Sequence, residues 1–311
     1  MNNSGLEGVG IYKVWGIGSR DWRRKRGMRR ASEARRAERE GEEEARMNAD
    51  ERGRAEDAVE GAGVDMAGAK LTIRLIGMTP NAVDVVYSAC RQCYSPAFAG
   101  DEFRPDASVQ GMKKKEALIR KVVASGHESP LEHVSMTFAI RGISRSCSLQ
   151  LVRHRLASYS QQSQRYVNME DFGYVIPPTI EGDKELREMF VATMEDIRQK
   201  YHRIVRALNG KGMKGELANQ DARFILPEAS ETKIVVTMNC REMLHFFSVR
   251  CCNRAQWEIR RLANEMLRVC KEKLPSIFGE EAGAKCRKQG YCPEGPKHTC
   301  GKYPLKEELM R

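Results

Sequence analysis

No stretch of this 311-residue chain is apolar over the length a membrane helix needs. No secretory h-region follows the N-terminus, so neither a membrane span nor export is expected. Aromatic residues make up only 7% of the chain, and the mean hydropathy of −0.57 is low for a compact enzyme. No internal repeat is evident. No G-x-G-x-x-G follows a strand, which argues against a Rossmann flavoprotein. Patterns of an RRM, a helix-turn-helix or a zinc knuckle are also missing, which weakens a dedicated nucleic-acid binder. Negative charge is in short supply: 42 acidic residues stand against 53 basic ones, for a formal net charge of +11. That excess, with a pI near 9.2, suggests an anionic partner such as a nucleotide, a nucleic acid or an acidic surface. Ten cysteines without an export signal point to a reducing cytoplasm and free thiols.

What is present falls into three parts: 1–69, 70–275 and 276–311. In the first, Asp21-Trp22-Arg23-Arg24-Lys25-Arg26 leads into an Arg/Glu/Ala-rich tract with few large apolar residues. Such a composition buries too little surface to offset ordering, so a disordered extension is expected, with a solvated single helix as the alternative. Met47 and Met66 are possible later starts. The basic cluster suits nucleic acid, but solvated charge runs are common.

The middle part alternates between strand and helix patterns. Leu71–Ile76 reads as a strand, and Thr79-Pro80-Asn81 opens a helix with Ala82, Val85, Val86 and Ala89 on one face. Helices are expected over 113–125, 185–208, 216–224, 242–249 and 255–273, and strands over 135–140 and 233–238. The Met and aromatic stripe of 185–208 reads as core or subunit interface. Cys90 and Cys93 have C-x2-C spacing but no partner pair nearby, so they read as packed thiols. His127 and His133 miss the helical HExxH spacing, and Pro130 interrupts the helix such a site requires. In the last part, Cys286, Cys292, His298 and Cys300 form the most zinc-like cluster. The expected C-x2-C knuckle is absent, so no metal is assigned and a loosely ordered tail is expected. A zinc-stabilised interaction module stays open as an alternative.

The most informative stretch is Gln150–Tyr166. It sets Arg153, His154, Arg155 and Arg165 among serines and glutamines, next to an apolar approach of Cys147, Leu149, Leu151 and Val152. Burying these polar groups would be costly unless something bonded to them. Arginine forks fit phosphates, while serine, glutamine and histidine bond the edge of a heterocycle. The run therefore reads as a site for an oxygen-rich anion such as a nucleotide, with a solvated basic turn as the plainer alternative.

Arg153-His154-Arg155, followed after seven residues by Ser163, resembles the signature of the flavin-dependent thymidylate synthases, the ThyX family. Two further blocks resemble the same family. One is His127-Glu128-Ser129-Pro130-Leu131-Glu132-His133. The other runs from Asn239-Cys240-Arg241 through His245 to Arg250. The resemblance spans roughly 71–275. Ser160 and Gln161 depart from it, standing where the longer signature usually has asparagine and glutamate.

The resemblance implies an α+β fold, an antiparallel sheet core flanked by helices, some of them long. It implies a methyltransferase and oxidoreductase that converts dUMP to dTMP. FAD would carry the reducing equivalents, NADPH would supply them, and 5,10-methylenetetrahydrofolate would give the carbon. Arg250 would be the activating, catalytic arginine. The dUMP site would take Gln150, Leu151, Val152, Arg153, Gln161, Gln162, Ser163, Gln164, Arg165, Arg223 and Arg250. FAD would meet Ser129, Arg153, His154, Arg155, Gln161, Asn239, Cys240, Arg241 and His245. Arg223 would reach the site from a neighbouring subunit, in a homotetramer with active sites between subunits. Ser163 invites a nucleophile reading, but no base is assigned to it by pattern, so a phosphate contact is preferred.

Overall fold

The computed structural model describes residues 69–103 and 108–310. The extension expected over 1–69 therefore lies outside the described residues, except for the buried Ala69. Four strands form one antiparallel sheet: β1 (Thr72–Met78), β2 (Ser135–Ser144), β3 (Ala157–Gln161) and β4 (Glu231–Asn239). Their spatial order is β1-β2-β4-β3, with Ser135 opposite Asn239 and Ala157 opposite Met238. Period-two alternation decides which face is buried. Met136, Phe138 and Ile140 of β2, with Ile234, Val236 and Met238 of β4, turn to the core. Lys233, beside Ile234, is exposed.

Helices flank the sheet. They include α1 (Ala82–Tyr94), α2 (Val109–Ala124), the short α3 (Arg145–Leu151), α4 (Lys184–Gly210) and α5 (Glu216–Ala222). Then follow α6 (Cys240–Arg250), α7 (Trp257–Lys273), α8 (Lys285–Gln289) and α9 (Lys306–Leu309). Val86 of α1, Ile119 of α2, Met243, Phe246 and Phe247 of α6, and Leu262 and Met266 of α7 join the strand residues in one core cluster. Each fully buried Phe or Met stabilises by roughly 1.5–3 kcal/mol. The cluster runs on through Ile277, Phe278 and Ala282. A second cluster forms where Met194, Tyr201 and Val205 of α4 meet Met169, Phe172 and Ile176. Leu186 and Met189, in the first turns of α4, stay exposed.

Local chemistry sets the boundaries. Ser144 starts α3, its Oγ accepting from Cys147 N at 3.0 Å. Asn239 starts α6 by accepting from Glu242 N at 2.8 Å. The Gln256 side chain accepts from Glu258 N and Ile259 N to start α7. Such caps contribute about 1 kcal/mol each. The β2 register shifts between Ile140 and Ile143. Gly142 sits there at φ +75, where an added Cβ would lie 2.2 Å from the Lys70 carbonyl oxygen, so only glycine fits.

The coarse expectation of an α+β fold with an antiparallel sheet holds, but several elements differ. The run 150–166 is not one unit. It contains the end of α3, a turn, then strand β3. Ala157-Ser158-Tyr159-Ser160-Gln161 has little apolar content, and its extended form comes from pairing with β4. The helix expected over 216–224 ends at Ala222 and passes into a 3-10 turn, Arg223–Ile225. Of the two expected packed thiols, Cys90 is buried but Cys93 is exposed. The tail is folded rather than loose: it carries α8, α9 and a bridge from Cys292 to Leu305.

Candidate active site

Because β4 runs directly into α6, the sheet fixes the direction of that helix. Its inner face buries Cys240, Glu242, Met243, Phe246 and Phe247, while Arg241 and His245 are exposed. Arg250 ends it. The neighbouring wall is the turn between α3 and β3. There the Tyr159 hydroxyl bridges the carbonyl oxygens of Leu151 (2.9 Å) and His154 (2.8 Å), holding the turn closed. The two walls meet at one contact: Arg250 Nε donates to His154 Nε2 at 3.1 Å. Guanidinium can only donate, so Nε2 must be unprotonated. The proton of the neutral ring then sits on Nδ1, which lies 3.5 Å from Glu242 Oε1. The ring also packs edge-on against Phe246 at 4.9 Å.

The electrostatics agree with a neutral ring. His154 is only 7% exposed. Burial first, then Arg250, then His245 push its pKa down to about 4. Burial raises the Glu242 carboxyl, with His245 pulling it partly back. One N–H of the Arg250 fork is thus used for positioning. Among the described residues its Nη groups make no hydrogen bond.

The remaining expected residues are placed unevenly. Ser129 and Arg241 line one cavity of about 290 Å³. Arg241 pairs there with Glu132. His245 faces another, of about 520 Å³, and Gln162 a third on the open face of the sheet. Arg153 and Arg155 are exposed on the turn. Leu151 and Cys240 are fully buried, backbone included. Burial pushes the Cys240 thiol up to about 12. Gln161 is already engaged: its Nε2 donates to Ser148 Oγ (2.9 Å) and Thr232 Oγ1 (3.1 Å). Asn239 uses its side chain as the α6 cap. Ser163 Oγ accepts from Arg165 N at 3.2 Å, a local turn. Arg165 pairs with Glu216 at 3.2 Å, and its carbonyl accepts from Asn219 Nδ2, which ties it to α5. Gln150, Val152, Gln164 and Arg223 are half-buried.

The model of the family described as thymidylate synthase complementing protein matches residues 74–276. The chain belongs to this family. Every element of the site lies inside the matched range, as do helices α1 to α7 and nearly all of the sheet. Three similar proteins are named flavin-dependent thymidylate synthase. That of Nitratidesulfovibrio vulgaris is 50% identical over 238 residues, covering 76% of this chain and 97% of the relative. That of Clostridium tetani is 47% identical, covering 74% and 93%. That of Geobacter sulfurreducens is 46% identical, covering 78% and 98%.

Three further residues support the site without standing out in the sequence. Glu242 faces the His154 ring. Its signal is an acid on the apolar face of α6, three residues before the exposed His245. Glu258, at the start of α7, accepts from Ser144 N at 2.7 Å and Ser144 Oγ at 2.5 Å, fixing the start of α3. Burial raises its pKa, and the two Ser144 bonds partly offset that. Tyr159 closes the turn that presents His154. Its signal is weak, because the strand it belongs to shows little apolar alternation.

Proposed function

We propose that this protein makes thymidylate by reductive methylation of dUMP, with 5,10-methylenetetrahydrofolate as carbon donor, FAD as hydride carrier and NADPH as reductant. The observation that carries the reading is the Arg250–His154 contact, inside a chain of this family. The chemistry requires uracil C5 to become nucleophilic, which an anionic, enolate-like ring favours. The Nη groups of Arg250 supply positive charge for the O2/N3/O4 edge of such a ring. His154 holds the guanidinium from behind while staying neutral itself.

The dUMP phosphate is assigned to Arg153, Ser163 and Arg165, with Gln150 and, from a neighbouring subunit, Arg223. Ser163 keeps its hydroxyl proton for donation, since its oxygen accepts from the backbone. Leu151, Val152, Gln161, Gln162 and Gln164 line that site. The donor set fits a flavin dinucleotide. The exposed guanidinium groups of Arg153, Arg155 and Arg241 suit a pyrophosphate, and Ser129 and Arg241 meet in one cavity. The exposed Arg241–Glu132 pair costs little to open. Asn239, Cys240, His154, Gln161 and His245 complete the set. When bound, FAD supplies the hydride chemistry.

A homotetramer with active sites between subunits, in the cytoplasm, belongs to the same proposal. Large exposed apolar side chains support a covering subunit: Leu156 is 74% exposed and Phe224 83%. No helix of the described residues is long and apolar enough to cross a membrane. Tritium release from dUMP labelled at C5, with FAD, NADPH and the folate supplied, tests the reading. A colourless preparation that neither binds added FAD nor oxidises NADPH in the presence of dUMP would overturn it.

A further inference from the structure

Beyond Phe278 the chain has almost no core of its own: Ala282 and Cys292 are its buried side chains up to residue 310. Its regular structure is two short helices and one bridge. So little apolar burial cannot offset the entropy of ordering such a segment, and folds of this kind are usually stapled by disulfides or a metal. All ten cysteines are free.

Several thiols nevertheless face one cavity. A cavity of about 770 Å³ between the α6–α7 turn and the tail is lined by Cys251, Cys252, Cys286, Cys292, His298 and Cys300. The same lining holds seven Arg and Lys residues against Glu294 alone. A divalent ion held by four thiolates carries a net negative charge, which such surroundings compensate. Cys252, Cys300 and Cys292 lie near enough to Cys286 for their thiolates to repel one another. A cation between them reverses that repulsion.

We propose that Cys252, Cys286, Cys292 and Cys300 bind a structural zinc ion that clips the tail onto the turn between α6 and α7. Four thiols release four protons as zinc takes four sulfur bonds, and nothing is oxidised. Among the described residues no three His, Cys, Asp or Glu side chains form a ready-made shell. Binding must therefore draw the sulfurs inward. No two of the four stand at knuckle spacing, and all of α7 separates Cys252 from the other three.

The test uses the full chain, reduced and incubated with zinc, then with Co2+ in its place. The expected result is about one zinc per chain, the visible bands of a tetrahedral cobalt thiolate, and about four thiols shielded from alkylation until a chelator is added. Cys286→Ser and Cys300→Ser should each weaken zinc binding at least ~10-fold, with Cys93→Ser as the unaffected control. Cys300→Ser changes no buried side chain, so it keeps the test valid if Cys286→Ser fails to fold. Absence of bound zinc with all thiols alkylating together, disulfides among the four cysteines, or full retention of zinc in both variants would each overturn the proposal. None of these outcomes depends on dTMP formation.

Discussion

Acid should destabilise this protein through one imidazole. His154 titrates at about 4 in the folded chain against an ordinary 6.5. Above pH 6.5 folded and unfolded chains both hold it neutral, so it contributes nothing there. As pH falls below 6.5, the unfolded chain takes up the proton and the folded chain does not, until about pH 4. Stability is lost across that window, by up to ~3 kcal/mol at about 1.36 kcal/mol per pKa unit. Glu242 and Glu258 act with the opposite sign: burial raises both, so the folded chain takes their protons first as pH falls. The informative quantity is therefore the difference between the wild type and His154→Gln, whose amide oxygen can still accept from Arg250. From pH 6.5 to 4 the wild type should lose up to ~3 kcal/mol more than the variant. Denaturant titrations at closely spaced pH values measure it, and imidazole NMR reports the titration directly. Parallel stability profiles, or an imidazole titrating near its ordinary value, would refute the reasoning.

Arg250→Ala should keep FAD yet lose about 10²–10³-fold in kcat with a smaller change in dUMP affinity; near-normal turnover would remove the role given to Arg250. Glu258→Ala leaves the Ser144 N–H and hydroxyl unpaired in a buried place, and should lower stability by about 2–4 kcal/mol, read as a shifted denaturation midpoint at constant m. Tyr159→Phe should cost about 1 kcal/mol, and an unchanged midpoint would mean the turn does not depend on that hydroxyl.

Strong periodicity was legible where one face is buried. Met136, Phe138 and Ile140 alternate in β2, and the apolar face of α7 repeats at helical spacing, so both elements were foreseeable. Strand β3 was not, because Ser158, Tyr159 and Ser160 are extended through pairing with β4, a partner distant in sequence. The site behaved similarly. Arg153, His154 and Arg250 stood out as residue types in a pattern. Their supports, Glu242 and Glu258, look like ordinary helix acids until folding buries them. Gln161 reads as a ligand contact in sequence, and the structure engages its amide nitrogen with Ser148 and Thr232.

The hydrogen bond between His154 and Arg250 joins residues 96 positions apart. It depends on β4 pairing with both β2 and β3, which closes long loops before any contact rewards the closure. Local helices such as α4 and α7 can form early, whereas this site waits for the non-local sheet. Refolding should therefore recover helical signal before it recovers the environment of the imidazole, with the His154–Arg250 contact among the last parts of the chain to assemble.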